Sequence, residues 1–147
     1  MKLLFFTLFA ILPLNTFAQI NDSTFCGNIY SEEFYTNIEM NLYENNVVIP
    51  GLEIFGELPG YINFKYDSRI WILTSAKLLN NNTAELVIIN DYGSEDLKAT
   101  LTYNPIEDKF ILRQDQGATI KFAKDRKWFK LPKTIEFKKR KSSTPKT

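Results

Sequence analysis

The sequence predicts an all-β domain, an antiparallel up-and-down meander of about 8–10 strands closing into a barrel, with a β-sandwich as the alternative. Three observations carry this. Apolar residues recur at every second position along most of the chain, the period of a pleated strand. Turn-forming clusters interrupt the alternation at short intervals, spacing the strands as hairpins do. No stretch carries a convincing helical stripe.

The elements follow in chain order. Met1-Lys2 opens a nearly unbroken apolar run from Leu3 to Leu14, and Asn15-Thr16-Phe17-Ala18 ends it. This is the layout of a secretory signal peptide, residues 1–18, with cleavage expected after Ala18. The run is shorter than the ~20 apolar residues that span a bilayer, and Pro13 disfavours a stable membrane helix. The residues before Cys26, Ser23-Thr24-Phe25, lack the small and aliphatic pair that lipidation needs. Removing 18 of 147 residues leaves 129, the size of one domain. Export to the periplasm, cell surface or medium is the expected fate.

Three segments alternate, the second with both faces apolar and the third most cleanly. Ile38, Met40 and Leu42 form the first set, Ala84, Leu86 and Ile88 the second, and Leu97, Ala99, Leu101 and Tyr103 the third. Between the strands lie Glu44-Asn45-Asn46, Asp67-Ser68, Asn80-Asn81-Asn82, Asp91-Tyr92-Gly93-Ser94, Asn104-Pro105 and Asp115-Gln116-Gly117. Each offers a residue that tolerates positive φ or starts a turn. A short turn of helix is expected at Ser31 to Tyr35, with Ser31 as its cap. Pro50-Gly51 and Pro59-Gly60 bracket a segment that reads as an edge, a corner or a lid, because proline cannot donate to a sheet ladder. The single β domain is expected to span 19–137. Residues 138–147, basic and then rich in Ser, Thr and Pro, read as a disordered tail.

Composition narrows the chemistry. The chain has no histidine and one cysteine, Cys26. Catalytic triads built on histidine, imidazole metal sites and intrachain disulfides are therefore excluded within it. Cys26 reads either as a buried small hydrophobe or as a partner for another chain. We expect no enzyme activity, no catalytic residues, no metal and no cofactor. The loop Asn90 to Asp96 gathers Asp91, Glu95 and Asp96, but not in the order of an EF-hand, and a polar hairpin with Gly93 at positive φ explains the same residues.

Charge divides sharply along the chain. From Lys121 onward eleven Lys and Arg face two acids, whereas from Gln19 to Ile120 six face fifteen. The basic part also carries Phe122, Trp128, Phe129 and Phe137. In an exported protein such a patch suits a polyanion of the envelope or an acidic protein, and nucleic acid is not expected. Lys127, Lys130 and Lys133 are the candidate basic surface. Their other reading is a solvated strand face whose acidic partners lie on neighbouring strands. Seventeen aromatics remain after residue 18. Most must be core, and in a barrel Tyr61, Phe64 and Trp71 are the candidates to line a cavity for a small apolar ligand.

The N-terminal Phe17-Ala18-Gln19, the composition rich in Asn and Lys, Gly93-Ser94-Glu95-Asp96 and Lys127-Trp128-Phe129-Lys130-Leu131-Pro132 together resemble small exported proteins of the Bacteroidetes. The resemblance, over Cys26 to Lys138, implies a lipocalin-like barrel and transfers no site residues. Lipocalins carry Gly-x-Trp near the first strand, where this chain has Gly27-Asn28-Ile29-Tyr30. Two functions follow as expectations: a non-catalytic binding protein holding a small apolar ligand or envelope component, or a protein-interaction module such as an inhibitor or immunity protein.

Overall fold

The computed structural model describes residues 23–140. The expected signal peptide and residues 141–147 of the expected tail lie outside the described residues. Twelve strands follow in order: β1 (Cys26–Ser31), β2 (Thr36–Asn41), β3 (Val47–Val48), β4 (Glu57–Leu58), β5 (Gly60–Phe64), β6 (Trp71–Asn80), β7 (Thr83–Asn90), β8 (Asp96–Asn104), β9 (Lys109–Gly117), β10 (Lys121–Lys124), β11 (Lys127–Lys130) and β12 (Thr134–Lys139). Eight of them close into an antiparallel barrel in the order β1-β2-β5-β6-β7-β8-β9-β12 and back to β1. This is the expected up-and-down barrel, and the sandwich is not formed. The other four make two small hairpins, β3 with β4 and β10 with β11.

Alternation decides which side chains enter the barrel. Ile38 and Met40 of β2, Ala84, Leu86 and Ile88 of β7, and Leu97, Ala99 and Leu101 of β8 are all buried in one core cluster. Ile29, Ile62, Phe64, Trp71, Leu73, Phe110, Leu112, Ile135 and Phe137 complete the ring, and Phe25, Leu42, Ile120 and Leu131 join the cluster from the connections and Phe122 from β10. The interior is thus packed with side chains, each full burial contributing about 1.5–3 kcal/mol.

Strand β6 breaks the alternation and shows how the register is kept. Its pairing with β7 slips between Leu73 and Ser75, so Thr74 is an extra residue in a bulge. The slip lets both Leu73 and Ala76 pack against the core. Gly60 marks the closest strand approach. A Cβ there would collide with the carbonyl oxygen of Glu39 and lie 2.9 Å from Met40 Cα, so only glycine lets β5 seat on β2.

The connections divide between the two ends of the barrel. One end carries the 32–35 turn, the 65–70 loop, the 91–95 loop and the segment 118–133 that contains hairpin β10–β11. The other carries flap β3–β4 and the turns at 81–82 and 105–108. Residues 32–35 form a turn without helix, because β1 and β2 stay paired up to Ser31 and Thr36 and only four residues remain to reverse the chain. Ser31 is accordingly a buried strand residue. The segment bracketed by prolines forms the flap, with a short 3-10 turn at Glu53–Phe55 and strand β4 lying against β6. Strand β12 runs past the expected domain boundary: Lys138 and Lys139 pair with Tyr30 and Ile29 and complete the barrel.

Candidate functional site

Segment 118–133 folds back over its end of the barrel, and a buried glutamine ties it down. Gln114 of β9 accepts a hydrogen bond from Ile120 N–H at 2.7 Å and donates through Nε2 to the carbonyls of Pro132 at 2.9 Å and Leu131 at 3.3 Å. Leu131 N–H in turn donates to Ile120 O at 2.8 Å. Both roots of hairpin β10–β11 are therefore fixed to one side chain, and a buried polar group satisfied in this way is costly to disturb.

The hairpin turns at Asp125-Arg126, both at positive φ (53° and 63°), the geometry of a tight turn that matches strand twist. One of its faces is aromatic and enters the core. Phe122 is buried and stacks on Phe64 at 5.1 Å between centroids, and Phe129 stacks on Phe122 at 5.6 Å. Strand alternation puts Lys124 and Lys127 on this same face and Lys121, Trp128 and Lys130 on the opposite one.

Asp67, read from sequence only as a turn residue, anchors the hairpin from the 65–70 loop. Its carboxylate accepts from Ala123 N–H at 2.6 Å, and Arg69 pairs with it at 3.0 Å. Burial alone would raise its pKa, yet the hydrogen bonds from Ala123 and Arg69, together with the Arg69 charge, hold the carboxyl below its ordinary value of 3.8. Arg69 also lies 4.4 Å from the centre of the Trp128 ring, and Lys121 Nζ lies 5.2 Å from it. These cations, Trp71, Trp128, Tyr92 and the 91–95 loop enclose a groove of about 320 Å³. Tyr92 is 79% exposed. The loop is shaped by Asn90, whose Oδ1 accepts from the N–H groups of Ser94 and Glu95, and Gly93 adopts the expected positive φ of 68°.

The residues singled out from sequence are dispersed. Phe64 and Trp71 belong to the core cluster, and the Trp71 indole donates to the Lys121 carbonyl at 3.3 Å, so both support the hairpin. Tyr61 points to the outer surface between Glu39 and Ile72, its phenol raised above the ordinary value by burial first and then by the Glu39 charge. The three therefore do not line one interior cavity, because residue 61 has the opposite parity to 62 and 64. Lys127 and Lys130 lie on β11, exposed, while Lys133 stands beyond it, where its charge helps Thr100 and Arg113 hold Asp115 low against the raising effect of burial. Cys26 is a free thiol, half-buried on β1. Among the described residues no cluster of three or more Cys, Asp or Glu is placed to hold a metal ion.

The cross-strand register of the hairpin is its most telling feature. Lys121 faces Lys130 and Lys124 faces Lys127. Only Lys121 of the four has an ion pair among the described residues, at 3.5 Å to Glu95. Like charges directly opposite one another destabilise an antiparallel pair.

The chain was compared with known protein families, curated proteins and solved structures, and it matches none of them.

Proposed function

We propose that the chain is an exported, non-catalytic binding protein whose ligand is anionic and is held at the hairpin end of the barrel. The observation that carries this reading is the doubled lysine register: Lys121 opposite Lys130 on the face of the groove walled by Trp128, Arg69 and the 91–95 loop, and Lys124 opposite Lys127 on the hairpin's other face. An anionic partner offsets the repulsion within each pair, and the exposed rings of Tyr92 and Trp128 add contact area. The non-catalytic part of the reading rests on a histidine-free sequence. Export rests on residues 1–18. The packed interior favours a ligand at the end of the barrel over an apolar molecule inside it.

A second reading, the protein-interaction module, is favoured by the opposite end. There Ile54 and Phe55 of the flap connection are 91% and 46% exposed, and Ile106 is 94% exposed. Large exposed apolar side chains on loops suit a protein contact. Native mass spectrometry on protein recovered gently from its own envelope or medium separates the two. A co-purifying anionic mass of small size supports the binding protein, and a co-purifying polypeptide supports the interaction module. A precursor mass retaining residues 1–18 would refute export.

A further inference from the structure

Hairpin β10–β11 has two edges, and only one of them is covered. Along an antiparallel pair, residues that exchange backbone hydrogen bonds alternate with residues that do not. Ala123 N–H donates to the Asp67 carboxylate at 2.6 Å, and the Lys121 carbonyl accepts from the Trp71 indole at 3.3 Å. Both groups therefore point away from β11, which makes Ala123 with Trp128 and Lys121 with Lys130 the non-bonded pairs. By the same alternation the N–H and C=O groups of Trp128 and Lys130 point outward along the far edge of β11. Among the described residues no strand pairs with that edge, and all four residues of β11 are exposed.

An open edge is a template for another strand, and proteins commonly blunt it with lysine. Lys127 and Lys130 guard against self-pairing, since two β11 edges brought together crowd four lysines along one seam. The chain's own last residues, 141–147, carry Lys141 and Lys146 and are disfavoured on the same ground. The charge that repels these strands selects an acidic one. Neither Lys127 nor Lys130 has an ion pair among the described residues. Between them stand Trp128 and Phe129, both exposed, which lysine guards do not require and which add contact area for a partner's side chains.

Building on the anionic ligand read for this end of the barrel, we propose that a short acidic peptide in extended form adds to the free edge of β11 as a third strand. Its backbone exchanges hydrogen bonds with Trp128 and Lys130, so affinity comes from the main chain and selectivity from the side chains. Register sets those side chains. Running antiparallel, the peptide places one acid opposite Lys130 and another opposite Lys127, with two residues between them facing Phe129 and Trp128. Directly opposed Cβ atoms lie about 4.5–5.5 Å apart, which brings each carboxylate within reach of its lysine. A core of Glu-Val-Thr-Glu has this order, with β-branched residues suited to a strand at its centre.

The test is an NMR titration of the isotope-labelled full chain with capped peptides of core Glu-Val-Thr-Glu or Lys-Val-Thr-Lys, and with dextran sulfate of low mass. The acidic peptide should bind and slow hydrogen exchange at the Trp128 and Lys130 amides by at least about tenfold. Dextran sulfate, held by charge alone, should leave both amides fast, and the lysine peptide should not bind. N-methylation of the peptide's first Glu and its Thr, whose N–H groups face the edge, should weaken binding about tenfold or more. N-methylation of its Val, whose N–H points away, should cost less than about threefold. Lys127→Glu combined with Lys130→Glu, two exposed replacements, should abolish the preference for the acidic peptide. Three results would overturn strand addition: the acidic peptide does not bind, it binds without slowing the two amides, or methylation at Glu and Thr leaves its affinity unchanged. In any of these cases, binding of dextran sulfate leaves the anionic-ligand reading standing; if neither it nor the peptide binds, both readings fall.

Discussion

Replacing Phe122 with alanine tests whether hairpin β10–β11 is seated on the core or merely lies over it. The ring is 4% exposed and sandwiched between Phe64 at 5.1 Å and Phe129 at 5.6 Å. Truncating a buried phenylalanine costs about 3–5 kcal/mol through lost transfer energy and the cavity left behind. Because Phe129 is itself 44% exposed, part of that cavity can collapse from the solvent side, which places the expected loss near about 3 kcal/mol. For a domain of roughly 120 residues this lowers Tm by about 12 °C. Phe129→Ala, which removes one stacked neighbour at the surface, should cost only about 1 kcal/mol. The assay is urea unfolding followed by tryptophan fluorescence, since Trp128 belongs to the hairpin and Trp71 bonds to its Lys121 carbonyl. A loss below about 1 kcal/mol for Phe122→Ala, with an unchanged urea slope, would show that the stack contributes little and that the hairpin end is not a built surface.

Further expectations follow from the same geometry. Asp67→Asn should cost about 2 kcal/mol near neutral pH, because the carboxylate bonds to Ala123 and Arg69 are charge-assisted. The folded-state pKa of Asp67 lies below 3.8, so its contribution is complete above that pH and is lost as pH falls through the lowered value; the unaltered protein and the variant should converge in stability only in strong acid. Gln114→Ala, which strands Ile120 N–H and the Leu131 and Pro132 carbonyls, should destabilise by about 2–3 kcal/mol and speed hydrogen exchange at Ile120 and Leu131 before the barrel strands. Gly60→Ala should cost about 3 kcal/mol or prevent folding, whereas Gly51→Ala, which meets open space at φ 82°, should cost about 1 kcal/mol; equal melting temperatures for the two would contradict the tight seat of β5 on β2.

The barrel is legible in the sequence wherever one face of a strand is apolar and the other polar. Leu97, Ala99 and Leu101 against Asp96, Lys98 and Thr100 is such a strand, and Gly93 at its turn announces the hairpin. Legibility fails where the phase slips. In β6, Trp71-Ile72-Leu73-Thr74-Ser75-Ala76 shows no regular period because Thr74 is a bulge, and Ile72 is buried although it faces outward. Strand pairs of two residues, β3 with β4, are too short to carry any period. The turn expected to be helical at Ser31 to Tyr35 has the right cap chemistry, but strand pairing reaches Ser31 and outcompetes it.

The site was legible in part. A density of lysine and aromatic residues marks 121–133, and the structure gathers most of them on one hairpin. What composition does not reveal is register, which sets lysine opposite lysine, and the anchors Asp67 and Gln114, whose most distant partners lie 56 and 18 residues away. Tyr61 illustrates the converse. It looks like Phe64 in a list of aromatics, but a difference of one in parity puts it outside the barrel.

Binding of an anionic ligand at the hairpin end is read out by a fluorescence titration with dextran sulfate of low mass. The unaltered protein and a triple replacement of Lys127, Lys130 and Lys133 by serine are each titrated at about 50 and 200 mM salt, spanning the range over which screening sharpens. Tryptophan emission should change on binding, the affinity should fall at least about tenfold between the two salt concentrations, and the triple variant should show a marked further loss. Binding that is indifferent to salt and to the three replacements, or no change in emission at either concentration, would contradict an anionic ligand at the hairpin end.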